Sequence, residues 1–129
     1  MEYRPLGRTG LEVSSIGLGC VTFGREIDKE TSFAVLDHAL ERGINLLDTA
    51  EAYAAGESER VVGEWMADRG TRDSVVLATK VSGTLTRDRV ISSAEESLQR
   101  LGVDVIDLFQ LHVYDDATPV DETLGALDT

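Results

Sequence analysis

The 129-residue sequence predicts an α/β protein built on a parallel sheet. Three observations carry that expectation. Short apolar runs alternate with amphipathic stretches, most of which close on a glycine. The third run, Val75-Val76-Leu77-Ala78, is continuously apolar, as a parallel strand covered on both faces must be. Asp48, Lys80 and His112 end the second, third and fourth runs, so each strand delivers an ionisable group at the same end. Both a doubly wound sheet and a barrel satisfy this pattern, and periodicity alone does not choose between them.

Each element has its own local warrant. Tyr3 to Leu6 and Leu11 to Val13 flank Gly7-Arg8-Thr9-Gly10, a hairpin signal within residues 1–14. Ser15-Ile16-Gly17-Leu18-Gly19 is the first apolar run of the repeating units, which occupy residues 15–129. Asp28 then supplies a helix N-cap, followed by Phe33, Leu36, Ala39 and Leu40 at helical spacing and a stop at Gly43. Ile44-Asn45-Leu46-Leu47 is the second run, and its helix carries Val61, Val62, Trp65 and Met66 on one side, ending near Gly70. After the third run a helix starts past Thr86, burying Val90, Ile91, Ala94, Leu98 and Leu101, and closes on Gly102. Val105-Ile106-Asp107-Leu108-Phe109-Gln110-Leu111 is the fourth run; Thr118 and Pro119 read as N-cap and first position of a fourth helix. That last helix stops at Thr129 without a cap, a closing glycine or a polar tail, which reads as a truncated final element.

Composition narrows the class of function. Twelve basic residues against 24 acidic ones give a net charge of −12, the wrong sign for a nucleic-acid or anionic-membrane surface. Hydrophobic residues at 42% and charged residues at 28% belong to a globular chain of at most one domain. Cys20 has no cysteine to pair with, and Met1 to Pro5 lack the basic and apolar stretches of a signal peptide, so the expected compartment is the cytoplasm. One cysteine and the well separated His38 and His112 supply no zinc spacing, so no metal is expected, and His38 reads as a surface residue. Gly17-Leu18-Gly19 is only a fragment of a dinucleotide fingerprint, no phosphate loop follows the first run, and Ser14, Ser15, Ser92 and Ser93 show no nucleophile-elbow context.

The candidate site is a constellation rather than a motif. Right-handed crossovers open the C-terminal ends of parallel strands onto one edge, so Asp48, Tyr53 in the loop after it, Lys80 and His112 should converge there. Taken singly, each has a plain structural role: a turn, a half-buried loop aromatic, a solvated lysine, a core histidine. Together they fit carbonyl chemistry. A phenol ordinarily holds its proton to about pH 10 and is a weak donor at neutrality. A nearby ammonium favours the phenolate, a carboxylate holds the ammonium, and an imidazole orients a carbonyl oxygen or helps relay its proton.

At these residues the sequence resembles the aldo-keto reductases. Tyr3-Arg4-Pro5-Leu6-Gly7-Arg8-Thr9-Gly10-Leu11-Glu12-Val13-Ser14 is similar to the family's N-terminal hairpin, and Ile16-Gly17-Leu18-Gly19-Cys20 to its first strand. Leu47-Asp48-Thr49-Ala50-Glu51-Ala52-Tyr53 with Gly56-Glu57-Ser58-Glu59 resembles the signature of strand two and its loop. Ala78-Thr79-Lys80 and Asp107-Leu108-Phe109-Gln110-Leu111-His112 resemble the segments bearing the other two groups. The resemblance implies the N-terminal half of a (β/α)8 TIM barrel: a β-hairpin plus four βα units, the last helix truncated. It implies NADP(H)-dependent reduction of aldehydes or ketones, with Tyr53 as general acid, Lys80 and Asp48 tuning it and His112 orienting a small carbonyl substrate. It also places Gly19, Cys20, Val21 and Asp48 beside the nicotinamide ribose, and Phe23, Val113 and Tyr114 around the substrate mouth.

A complete barrel needs roughly 250 residues, and family members run to about twice the length of this chain. The resemblance therefore implies that most of the NADP(H) grip, including the contacts to the 2′-phosphate, belongs to a half beyond these residues. A half-barrel also exposes two strand edges, from which self-association is expected. Two readings follow: an enzyme half that needs completion, or a catalytically inactive fragment that self-associates or docks on a partner. A compact flavodoxin-like sheet is a third arrangement, disfavoured by the absence of a phosphate loop in Gly19-Cys20-Val21-Thr22-Phe23-Gly24.

Overall fold

The structure is a computed structural model describing residues 1–129. The chain opens with an antiparallel hairpin, β1 (Tyr3–Pro5) and β2 (Glu12–Ser14), registered Tyr3 to Ser14 and Pro5 to Glu12. The turn between them holds Gly7 and Gly10 at φ of +57° and +82°, a conformation that costs glycine nothing. Asn45 anchors the hairpin to the rest of the chain. Its side-chain oxygen accepts from the Ser14 N–H (2.7 Å), and its amide donates to the Glu12 carbonyl (3.0 Å).

Four βα units follow: β3 (Gly17–Gly19) with α1 (Lys29–Glu41), β4 (Leu46–Asp48) with α2 (Glu57–Arg69), β5 (Val76–Val81) with α3 (Arg87–Leu101), and β6 (Leu108–Leu111) with α4 (Val120–Leu127). The strands are parallel and lie in the order β3-β4-β5-β6. That order resolves the choice that periodicity left open. A doubly wound sheet reverses strand order at a switch point. Here every right-handed crossover steps the same way, so the helices share one face, α1 against α2, α2 against α3 and α3 against α4. The outer strands β3 and β6 each keep one edge without a strand partner.

The core lies between sheet and helices. Leu47 and Leu77 from the sheet meet Leu36 of α1, Trp65 and Val62 of α2 and Leu101 of α3, all of them buried. β5 is the most buried strand, as its continuous apolar run requires. The capping residues act where expected: the Asp28 carboxylate accepts from the Thr31 N–H (2.8 Å), the Thr86 hydroxyl accepts from the Arg89 N–H (3.3 Å), and Gly70 and Gly102 end α2 and α3 in the left-handed region.

Two expectations need correction. In α3, Val90 and Leu101 are buried, but Ile91, Ala94 and Leu98 are only half-buried, while Ser93 and Ser97 are fully buried. α3 passes so close to its neighbours that small side chains fill its inner face; at Gly63 of α2 an added Cβ would lie 2.4 Å from the Leu101 carbonyl oxygen. In α4 the helix begins at Val120 with Pro119 as cap, because the Thr118 hydroxyl donates to the Asp115 carboxylate (2.6 Å) instead of capping. That carboxylate also accepts from the Leu85 and Ala117 N–H groups, and these bonds hold Asp115 below the usual carboxylate range. No helix is long and apolar enough to cross a membrane.

Candidate active site

Strand register brings the ionisable groups together. Asp48 is the last residue of β4 and pairs with Ala78, two residues before Lys80. Lys80 in turn pairs with Gln110, two residues before His112. Steps of two preserve the face on which a side chain stands, so Asp48, Lys80 and His112 emerge on one face at one end of the sheet. Tyr53 arrives on the loop between β4 and α2, at the start of a short 3₁₀ turn, Tyr53–Gly56.

The contacts are direct. The Lys80 ammonium lies 2.8 Å from Asp48 Oδ1, donates to the Thr49 carbonyl at 2.9 Å and reaches the Tyr53 hydroxyl at 3.4 Å. It also stands 4.9 Å from the centre of the Tyr53 ring, a cation–π distance. The Lys80 side chain is 13% exposed, so its charge sits where water screens it poorly. The His112 ring meets the Tyr53 ring edge-on, centroids 5.6 Å apart at 87°. All four predicted groups thus lie together at one end of the sheet, with the ammonium between carboxylate and phenol.

Several polar partners were not anticipated. Gln110 donates to Asp48 Oδ1 (3.3 Å), and the Ser82 hydroxyl is 3.0 Å from His112 Nδ1. Parity would have found both: Gln110 precedes His112 by two residues and Ser82 follows Lys80 by two. Behind them the Glu51 carboxylate accepts from the Ser82 N–H, from Arg89 and from Ser93. A lone loop carboxylate in a sequence gives no sign of such a role. Deeper still, fully buried Glu59 accepts from the Thr79 hydroxyl (2.6 Å) and pairs with Arg100 (2.5 Å).

The residues expected around cofactor and substrate divide. Gly19 and Val21 are exposed at the end of β3, and Val113 and Tyr114 are exposed just past His112. Cys20 and Phe23 depart from expectation, at 0% and 1% exposure. The Cys20 thiol points at the Leu18 carbonyl, its N–H donates to the Asp48 carbonyl, and its own carbonyl accepts from Ser58. Every polar group of Cys20 is therefore spent inside the protein. Burial, with the Asp48 charge adding to it, pushes its thiol pKa up to about 12. Phe23 belongs to the same core cluster, because the chain after β3 turns inward over α1 and α2 before Asp28 starts the helix. Both are core residues.

Comparison with known proteins gives the family and the fold. The aldo/keto reductase family model matches residues 15–129. Aldo-keto reductase YhdN of Bacillus subtilis is 40% identical over 95% of this chain and 41% of its own length. A probable voltage-gated potassium channel subunit beta of Oryza sativa is 38% identical over 99% of this chain and 42% of its own. The holo form of aldo-keto reductase AKR11C1 from Bacillus halodurans superposes with a TM-score of 0.91 at 36% identity, covering 99% of this chain and 45% of that one. The chain thus spans about half the length of the relatives it matches, and its fold is half of their (β/α)8 barrel. With strand order, the gathered side chains and the family model in agreement, this chain belongs to the aldo/keto reductase family.

Proposed function

We propose that these residues form the proton-donating half of a carbonyl-reducing oxidoreductase site. Tyr53 gives its hydroxyl proton to the oxygen of an aldehyde or ketone, Lys80, held in place by Asp48, stabilises the phenolate left behind, and His112 orients the carbonyl. The observation that carries this reading is the ammonium of Lys80 lying between Asp48 (2.8 Å) and the Tyr53 hydroxyl (3.4 Å). A cation fixed there stabilises a developing phenolate more than the phenol, which is what lowering the barrier to proton donation requires. Val113 and Tyr114 offer apolar surface for the substrate beside His112.

NADP(H) supplies hydride when bound, and the chain fits that group in part. Exposed Gly19 and Val21, with Asp48 next to them, leave room at the end of β3 for the nicotinamide riboside. The phosphates find less: Lys80 and Arg89, the cations held at the site, are each committed to a carboxylate. The reading therefore assigns the phosphate contacts to residues outside this chain. A second reading rests on the open edges of β3 and β6, which suit a catalytically silent chain that self-associates.

One experiment separates the two. NADPH oxidation is followed with 4-nitrobenzaldehyde across the oligomeric states of the purified chain and its Tyr53→Phe variant. General acid catalysis contributes roughly 10²–10⁴-fold, so the variant should lose about that factor. Absence of cofactor binding and turnover in every state refutes the enzyme reading for this chain.

A further inference from the structure

His112 is the least confined of the four groups. Its main chain is fixed by the N–H bond to the Val81 carbonyl (2.9 Å), yet the residue is exposed. Besides the Tyr53 ring edge, the polar contact on its imidazole is Ser82 Oγ, 3.0 Å from Nδ1. The ring's chemistry depends on which nitrogen bears the proton, and the bond made by one nitrogen sets the state of the other. As an Nε2–H tautomer the far edge is a donor to a carbonyl oxygen; as the Nδ1–H tautomer it is an acceptor and repels one.

We propose that Ser82 is a positioning residue that donates its hydroxyl proton to Nδ1 and so holds neutral His112 as the Nε2–H tautomer. The His112 Nδ1 lone pair is the one protein acceptor that the Ser82 hydroxyl meets. Were the ring to donate instead, the hydroxyl proton would be left to solvent. Ser82 is itself held in place. Its N–H donates to Glu51 Oε1 (2.8 Å), and the same carboxylate accepts from Arg89 (2.5 Å) and the Ser93 hydroxyl (2.6 Å). The Glu51 side chain is 8% exposed, and its main-chain N–H donates to the Lys80 carbonyl (3.2 Å). Glu51 stands two residues before Tyr53. A single carboxylate therefore ties the loop that carries the phenol to the residue that holds the imidazole.

Only the purpose of the Nε2–H donor rests on the reading under Proposed function; the tautomer is measured without turnover. Long-range ¹H–¹⁵N spectra of the ¹⁵N-labelled chain are recorded above the imidazole titration, with exposed His38 as internal reference. His112 should be protonated at Nε2. Ser82→Ala should shift its tautomer ratio towards that of His38 by about 5-fold, the value of one ordinary hydrogen bond, and Ser82→Thr should restore it. Glu51→Gln should speed exchange of the Ser82 amide proton; if that variant fails to fold, the Ser82 pair decides alone. An Nδ1–H signal in the parent chain, or an unchanged ratio in Ser82→Ala, overturns the proposal. A pinned ring in a chain that turns over nothing defeats the enzyme reading and leaves this one standing.

Discussion

Substituting Gly63 by alanine tests how closely α2 and α3 are packed. A Cβ at that position meets the Leu101 carbonyl oxygen at 2.4 Å, its carbon at 2.7 Å and its Cα at 2.8 Å. All three are main-chain atoms, so no rotamer change relieves the clash. Ordinary contact requires α2 and α3 to separate by about 1 Å in an interior that is close-packed throughout. Overpacking costs about 1–3 kcal/mol, and a rigid partner places this case at about 3. Replacing glycine by alanine within a helix returns about 1 kcal/mol. The net loss is about 2 kcal/mol, or roughly 8 °C in Tm for a chain of this size. Thermal and urea unfolding followed by circular dichroism measure it. Gly125 of α4 is the control, since nothing lies within 4 Å of its Cβ position. There the same substitution should raise stability by up to about 1 kcal/mol. A Gly63→Ala protein as stable as its parent would show that the helices part at no cost, and the account of α3's small-residue face would fail with it.

Other expectations follow from buried groups and strained backbone. Arg100→Met leaves the Glu59 carboxylate, fully buried, with only the Thr79 hydroxyl, and should cost about 3–5 kcal/mol in urea unfolding. The Cys20 thiol, 0% exposed, should react with a thiol reagent only through opening of the fold. Its pKa rises from 9.0 to about 12 on folding, so the unfolded chain loses that proton first. Stability from this group is complete below about pH 9 and falls towards pH 12, by at most about 1.4 kcal/mol per pH unit. Urea titrations at rising pH should show that slope in the parent chain and not in Cys20→Ala. Ala54 and Ala55, consecutive residues at φ of +51° and +52°, hold a conformation that costs a non-glycine residue roughly 1–2 kcal/mol. Ala55→Gly should relieve this, less the larger entropy of the unfolded chain, and raise Tm by about 2 °C.

Much of this arrangement was legible in the sequence because local chemistry and global fold agree. Asp28, Thr86, Gly70 and Gly102 announce helix ends that no tertiary contact overrides. The continuous apolar run at Val75 marks the strand that is buried on both faces. Alternation alone did not give strand order, which depends on how successive crossovers stack. On the inner face of α3 hydrophobicity is a poor sign of burial. There the decisive quantity is size, and Ser93 and Ser97 are buried with their hydroxyls engaged. Cys20 and Phe23 follow a strand end, where sequence position points to the opening; the chain's inward turn buries them instead. Glu51 was invisible because its partners lie 31 to 42 residues away.

The site also has an order of rigidity that its construction imposes. Asp48 and Lys80 stand on β4 and β5, each paired on both sides, so their separation is set by main-chain ladders that cannot slip without turning core residues outward. Tyr53 comes on a loop, but that loop is held by the Glu51 carboxylate firmly enough to keep two alanines in the left-handed region, which only a well-determined environment sustains. His112 follows β6, an outer strand paired on one side only, and its N–H bond to Val81 is the last rung of that ladder. Local opening begins where a strand has fewest partners and most solvent. Of the four groups the imidazole therefore drifts first, and the Ser82 hydroxyl is bonded to the ring at the point where the strand pairing ends.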